Sequence, residues 1–210
     1  MKGYIKIKNL SKKIKNNVVL DNINVELDKG NIYGFRGING SGKTMLFRAI
    51  CGLITPTEGE IIIDSKRLHK DIDFPESIGA LIENPGFLPN YSGKQNLKML
   101  ADIRDVITTE DIEKAMALVG LDPNDSRKFK QYSLGMKQKL GIAQVLMENP
   151  DLILLDEPTN ALDEESVKNV LDIIKKEKIK GKTILIASHD KSSLEEISDY
   201  IFKIENGKIV

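Results

Sequence analysis

A single cysteine, Cys51, is the whole thiol content of the sequence, so an intrachain disulfide is excluded, and with it a disulfide-stapled scaffold. Cys51 stands in an apolar stretch and reads as a small buried hydrophobe rather than a reactive thiol; a reducing compartment is expected. Net charge is lacking too. Thirty-one Lys+Arg balance 31 Asp+Glu, so the charge total offers no argument for a nucleic-acid partner, and none is expected. No apolar run approaches the roughly 18 residues that span a bilayer, and nothing resembles a signal peptide. The chain is therefore expected to be soluble, with any membrane role supplied by a second protein. Internal repeats and low-complexity tracts are absent. The 210 residues, 40% hydrophobic and 30% charged, suit one domain or one core with an inserted subdomain.

Against this plain background stands Gly37-Ile38-Asn39-Gly40-Ser41-Gly42-Lys43-Thr44, a match to the phosphate-loop template G-x-x-x-x-G-K-[ST]. Glycines let the backbone curl so that successive N–H groups face phosphate oxygens. Lys43 adds a charge that reaches β- and γ-phosphates, and the Thr44 hydroxyl can ligate Mg²⁺. A strand reading (Asn31 to Phe35) precedes the loop and a helix reading (Met45 to Cys51) follows it, as the motif requires. The plainer alternative, a glycine-rich turn with an accidental lysine, does not explain that context.

Elsewhere the pattern is coarse but legible. Tyr4 to Leu10 alternates as a half-buried strand, and Val18 to Leu27 reads as a second one. Lysines 2, 6, 8, 12, 13 and 15 make a basic start, read as a solvated edge strand, with attraction to an anionic membrane surface as the weaker alternative. Strands are also expected at Glu60–Ile63 and Ile78–Ile82. From Ser92 to about Asn149 the texture is helical, with Thr109 opening the second helix and Ser133 capping a long third one. The apolar run Leu152–Leu155 and the stretch Thr183–Ala187 read as parallel strands buried on both faces. Asp163 reads as a helix cap, and Asn206-Gly207 as the turn of a terminal hairpin.

Leu152-Ile153-Leu154-Leu155-Asp156-Glu157 is the second chemical element. An acid after four apolar residues emerges at the carboxyl end of a strand, where open α/β sheets bind ligands. Asp156 is the candidate metal carboxylate, and Glu157 is placed to orient or polarise a water.

Taken together, these motifs make the chain resemble the nucleotide-binding domain of ATP-binding cassette (ABC) transporters. The resemblance rests on Gly37 to Thr44, Glu83-Asn84-Pro85, Tyr132-Ser133-Leu134-Gly135-Met136, Leu152 to Pro158, Ala161-Leu162-Asp163 and Ser188-His189-Asp190, in family order, with Gly52 to Ile61 as the usual exit from the first helix. It implies an α/β fold: a phosphate-loop NTPase core with a mostly parallel sheet, an antiparallel β part near the N-terminus, and an inserted α-helical subdomain. Residues 1–83 and 151–210 would form the RecA-like ATP-binding core and 84–150 the helical subdomain.

The resemblance also implies site roles. Gly37, Asn39, Gly40, Ser41, Gly42, Lys43 and Thr44 would bind the ATP phosphates. Thr44, Asp156 and Glu83 would attend Mg²⁺, with Glu83 standing where the family has glutamine. Glu157, His189 and Lys43 would be catalytic. Ser133 and Gly135, from the family's signature sequence, would complete the site of a second copy, so the partner is a head-to-tail homodimer. Asp163 would communicate across that dimer, and Ile14 would take the place of the aromatic that stacks on adenine. Glu83 with the Tyr-Ser-Leu-Gly-Met signature looks like bacterial exporters of the bacitracin-resistance and lantibiotic-immunity type. There the ATPase is a cytoplasmic subunit, peripheral on the inner face of the membrane through a separate permease. Two rivals stay open: an ATP-gated dimerisation module with little hydrolysis, and a non-transport ABC protein.

Overall fold

The computed structural model describes residues 3–83 and 86–210; Asn84 and Pro85 of the Glu83-Asn84-Pro85 segment lie outside them. The fold is α/β, with two sheets. In the first, β1 (Ile5–Ile14), β2 (Asn17–Leu27), β4 (Glu58–Ile63) and β5 (Lys66–Arg67) pair antiparallel in the order β2-β1-β4-β5. In the second, β3 (Ile32–Arg36), β6 (Ile78–Leu81), β7 (Leu152–Asp156), β8 (Thr183–Ser188), β9 (Tyr200–Glu205) and β10 (Lys208–Ile209) lie in the order β10-β9-β3-β8-β7-β6. This sheet is parallel except for the terminal hairpin. Parallel strands need crossover connections; α5 (Glu164–Ile179) makes the one from β7 to its neighbour β8, and α6 (Lys191–Ile197) the one from β8 past β3 to β9.

The two central strands show why their sequences read as continuous apolar runs. All residues of β7 and β8 are buried. Leu152, Leu154, Leu185 and Ala187 point into one core, shared with α1 (Lys43–Ile50) and the antiparallel sheet. Ile153, Leu155, Ile184 and Ile186 point into a second core, shared with α2 (Gly93–Arg104), α3 (Thr109–Leu118), α4 (Leu134–Met147) and α5. A period of two on a strand covered on both faces demands apolar residues at every position. Each such leucine or isoleucine contributes about 1.5–3 kcal/mol on burial. Gly79 on β6 lets α4 lie directly on the sheet, since a side chain there would come within 2.4 Å of the Val145 carbonyl oxygen.

Caps set the helix starts. Ser133 Oγ accepts from Met136 N–H at 3.2 Å, and Asp163 Oδ1 accepts from Ser166 N–H at 2.8 Å, as their residue types predict. The second helix opens at Thr109, as read, and Thr108 just before it is the cap; its reciprocal pair with Asp111 forms a capping box. The reading of the basic N-terminal strand as an edge is also corrected. β1 is flanked by β2 and β4. Its lysines line a solvent face and pair sideways, Lys6 with Glu26 at 3.1 Å and Lys8 with Glu60 at 3.8 Å. Alternation reveals which face is wet, not how many neighbours a strand has. Cys51 is buried, and burial pushes its thiol pKa up to about 12, which suits a packing role. Among the described residues no helix is long and apolar enough to cross a membrane.

Candidate functional site

The phosphate loop leaves β3 and enters α1, at the carboxyl end of the parallel strands. Gly42 holds φ +112°, a backbone conformation closed to L side chains, and a Cβ there would lie 3.0 Å from the Val19 carbonyl oxygen. The loop is also tied from the far end of the chain. Gly207 N–H donates to the Ser41 carbonyl at 2.8 Å, while Asp21 N–H donates to the Gly207 carbonyl at 2.9 Å. The terminal hairpin turn thus braces the loop against β2. Sequence reading saw in Asn206-Gly207 only a turn.

A cleft of about 740 Å³ opens over the loop, within the size range of small-ligand sites. Asn39, Gly40, Gly42, Lys43 and Thr44 line it from the loop, Asp156 and Glu157 from the end of β7, and Glu83 from the end of β6. Lys43 is buried; its ammonium donates to the Gly37 and Ile38 carbonyls at 2.6 and 3.2 Å and lies 3.5 Å from Glu157 Oε1.

Asp156 and Thr44, the candidate metal pair, meet at the end of β7. Thr44 Oγ1 donates to Asp156 Oδ2 at 2.6 Å, whereas Asp156 Oδ1 is buried with no hydrogen-bond partner. Burial raises the Asp156 pKa, and the negative charges of Glu157 and Glu83 add to the rise; the Thr44 hydroxyl and Lys43 oppose it. A buried carboxylate oxygen without a partner costs at least ~1–3 kcal/mol. That cost is relieved by a cation, so the pair fits Mg²⁺. Among the described residues no three His, Cys, Asp or Glu side chains form a metal cage. A Mg²⁺ held by this pair would therefore draw its remaining ligands from outside the protein, as that ion usually does.

Glu157 is held from every side. Its φ is +51°, rare for a residue with a side chain and a strain of about 1–3 kcal/mol. Its N–H donates to the Ala187 carbonyl at 2.8 Å, and its carbonyl accepts from Gln138 Nε2 at 3.0 Å and from Asn160 N–H at 3.2 Å. Its carboxylate accepts from Ser188 Oγ at 3.2 Å and from His189 N–H at 3.1 Å. His189 Nδ1 lies 2.9 Å from the same carboxylate, so the Nδ1–H form is the one that bonds there. Sequence reading brought Glu157 and His189 to one site but missed Gln138, whose partner is 19 residues further on and in another element.

Other candidates lie apart. Ser133 is exposed and caps α4; neither it nor Gly135 lines the cleft of its own chain. Gly135 instead abuts Ala161, where a Cβ would stand 3.0 Å from the Ala161 carbonyl oxygen. The signature segment and the 161–163 loop are thus neighbours. Asp163 serves as the α5 cap. Ile14 ends β1, is 43% exposed, and is not part of the cleft lining; Val18 and Val19, on the returning strand, are. Glu83 has φ +60°, and its Oε2 lies 3.0 Å from Arg48 Nη2, a partner no motif pointed to.

The family model described as "ABC transporter" matches residues 20–160. The uncharacterized ABC transporter ATP-binding protein YybJ of Bacillus subtilis (strain 168) is 50% identical over 205 residues, covering 98% of this chain and 94% of the relative. The bacitracin transport ATP-binding protein BcrA of Enterococcus faecalis is 38% identical, covering 100% and 69% respectively. The lantibiotic transport ATP-binding protein SrtF of Streptococcus pyogenes is also 38% identical, covering 98% and 89%. Among solved structures, the dimeric post-hydrolysis state of the ATP-binding cassette MJ0796 bound to ADP and Pi superposes with a TM-score of 0.87 at 25% identity, over 98% of this chain and 96% of that one.

Proposed function

Because the chain belongs to the ABC transporter family, as an ATP-hydrolysing, ATP-binding subunit, we propose that two copies close head to tail on two ATP molecules and drive a separate permease that exports an antimicrobial peptide or drug. Export of that cargo class is supported by relatives named for bacitracin and lantibiotic transport, and the two-fold arrangement by the dimeric state of the similar cassette. The observation that carries the reading is the position of Ser133 and Gly135. They sit at an exposed helix N-terminus, suited to an anion, yet outside the cleft of their own chain. A head-to-tail pair brings that helix end over the phosphate loop of the partner.

In this reading each residue has a task. The loop amides from Gly37 to Thr44 and the Lys43 ammonium hold the triphosphate. Asp156 and Thr44 hold Mg²⁺, with Glu83 beside them. The ion neutralises charge across the phosphates. Glu157 orients the attacking water and receives its proton, and His189 keeps the Glu157 carboxylate in place beside the γ-phosphate. Ser133 and Gly135 cap the γ-phosphate of the partner's ATP, and Asp163 lies at the seam. Val18 and Val19 offer the base an apolar contact, with Ile14 at the rim. The protein works on the inner face of the membrane, held there by the permease.

The test is Glu157→Gln. Loss of the base should lower steady-state phosphate release by about 10²–10⁴-fold, and ATP should trap a dimer visible by light scattering. An unchanged hydrolysis rate overturns the role of Glu157; a variant that stays monomeric with ATP overturns the two-fold site.

A further inference from the structure

Three carboxylates face one cleft: Asp156, Glu157 and Glu83. The cleft lining contains one cation, Lys43, and Lys43 is already 3.5 Å from Glu157. Glu83 would therefore add an uncompensated negative charge where a polyphosphate must enter. The structure supplies a counter-charge from just outside the lining. Arg48 stands in the last turn of α1, four residues beyond Thr44 and so on the same helix face. Thr44 reaches Asp156 at 2.6 Å, and one turn later Arg48 Nη2 reaches Glu83 Oε2 at 3.0 Å. The phosphate-loop helix thus grips two acids in succession, one at the end of β7 and one just past β6.

The Arg48–Glu83 pair is too exposed to be explained as a fold stabiliser: its side chains are 37% and 58% accessible. Glu83 also sits at φ +60°, a backbone conformation that residues with side chains rarely adopt, and from there its carboxylate meets Arg48. We propose that Arg48 is a positioning residue for nucleotide binding: it neutralises Glu83 and holds that carboxylate beside Asp156, so that ATP enters a cleft with one fewer effective negative charge. This deepens the reading given above and rests on its assignment of the cleft to ATP.

Binding of a fluorescent ATP analogue in EDTA, and again with Mg²⁺, tests it without turnover. The proteins are the wild type, Arg48→Gln, Glu83→Gln, the double variant, and Lys43→Ala as the control for the cleft. At low salt, Arg48→Gln should weaken metal-free binding about fivefold, the scale of one poorly screened charge. The loss should fall below about twofold at 0.5 M salt, where the Debye length is only a few ångströms. In the Glu83→Gln background the same substitution should change binding less than about twofold, because Arg48 acts through the carboxylate it holds: once released that carboxylate can turn toward the phosphates, whereas its neutral replacement cannot repel them. An equal loss in both backgrounds, a loss indifferent to salt, or wild-type affinity in Arg48→Gln overturns the proposal. Wild-type binding abolished by Lys43→Ala leaves the ATP cleft standing in each of those cases; absence of wild-type binding overturns both.

Discussion

Gln138 is the most informative residue to replace. It lies on α4, 9% exposed, and its side-chain amide donates to the Glu157 carbonyl at 3.0 Å. It therefore joins the helix that begins with Ser133 to the backbone of the proposed base. Glu157 also accepts from Asn160 N–H at 3.2 Å, so Gln138→Ala leaves no orphaned carbonyl, only a lost bond. That bond is worth about 0.5–1.5 kcal/mol. The lost side-chain contacts add about 1 kcal/mol at ~0.8 per buried methylene. The total, about 2 kcal/mol, should lower Tm by about 4–8 °C in a chain of this size. Turnover is a separate matter. Glu157 holds a left-handed φ only because its surroundings over-determine it. Loss of one restraint should let the carboxylate wander and cost about tenfold in kcat, or ~1.4 kcal/mol, with a smaller change in KM for ATP. Gln138→Leu keeps most of the volume and removes the amide; it should recover stability but not kcat. Urea melts and steady-state phosphate release read the two effects. If Gln138→Ala loses stability while kcat holds, the bond is architectural and the link from α4 to Glu157 carries no catalytic consequence.

Gly207→Ala should weaken ATP binding several-fold and cost about 1–2 kcal/mol of stability: φ is +76°, and a Cβ would meet the Val19 carbonyl oxygen at 2.7 Å, loosening the brace on the phosphate loop. Wild-type ATP affinity in that variant would show that the hairpin does not shape the loop. Leu97→Ala should cost about 2–5 kcal/mol, because Leu97 is fully buried in the core shared by the helical segment and the parallel sheet. One cooperative transition is expected in circular dichroism, and two separate ones would argue against a common core. Asp190 caps α6, and hydroxyl bonds from Ser193 and Ser192 hold its carboxyl below the usual carboxylate range. A depressed folded pKa adds stability above the unfolded value of about 3.9, and that stability is lost as pH falls through the folded one. Asp190→Asn should therefore flatten stability against pH below about 4, and urea midpoints between pH 2 and 5 check the slope.

Much of the site was legible because its chemistry is local. The loop Gly37–Thr44 is contiguous, its glycines answer to backbone angles, and Lys43 and Thr44 lie within one helical turn of each other. Ser133 and Asp163 are caps whose partners lie three residues away. Asp156 and Glu157 follow an apolar run whose two-sided burial is written in its composition. Ile14 shows the limit: the β1–β2 hairpin places Val18 and Val19, not Ile14, in the cleft lining, and strand pairing rather than composition decides which residues face inward there.

By itself, then, the sequence determined the phosphate loop, the helix caps, the buried parallel strands and the acid pair at the end of β7, since each depends on periodicity or on neighbours within a few positions. Tertiary structure alone decided that β1 is an interior strand, that Gly207 braces the loop, that Gln138 holds Glu157, and that Arg48 faces Glu83. Those contacts join segments far apart in the chain. Their partners are chosen by strand order and helix placement, and no local pattern of residues encodes such a choice.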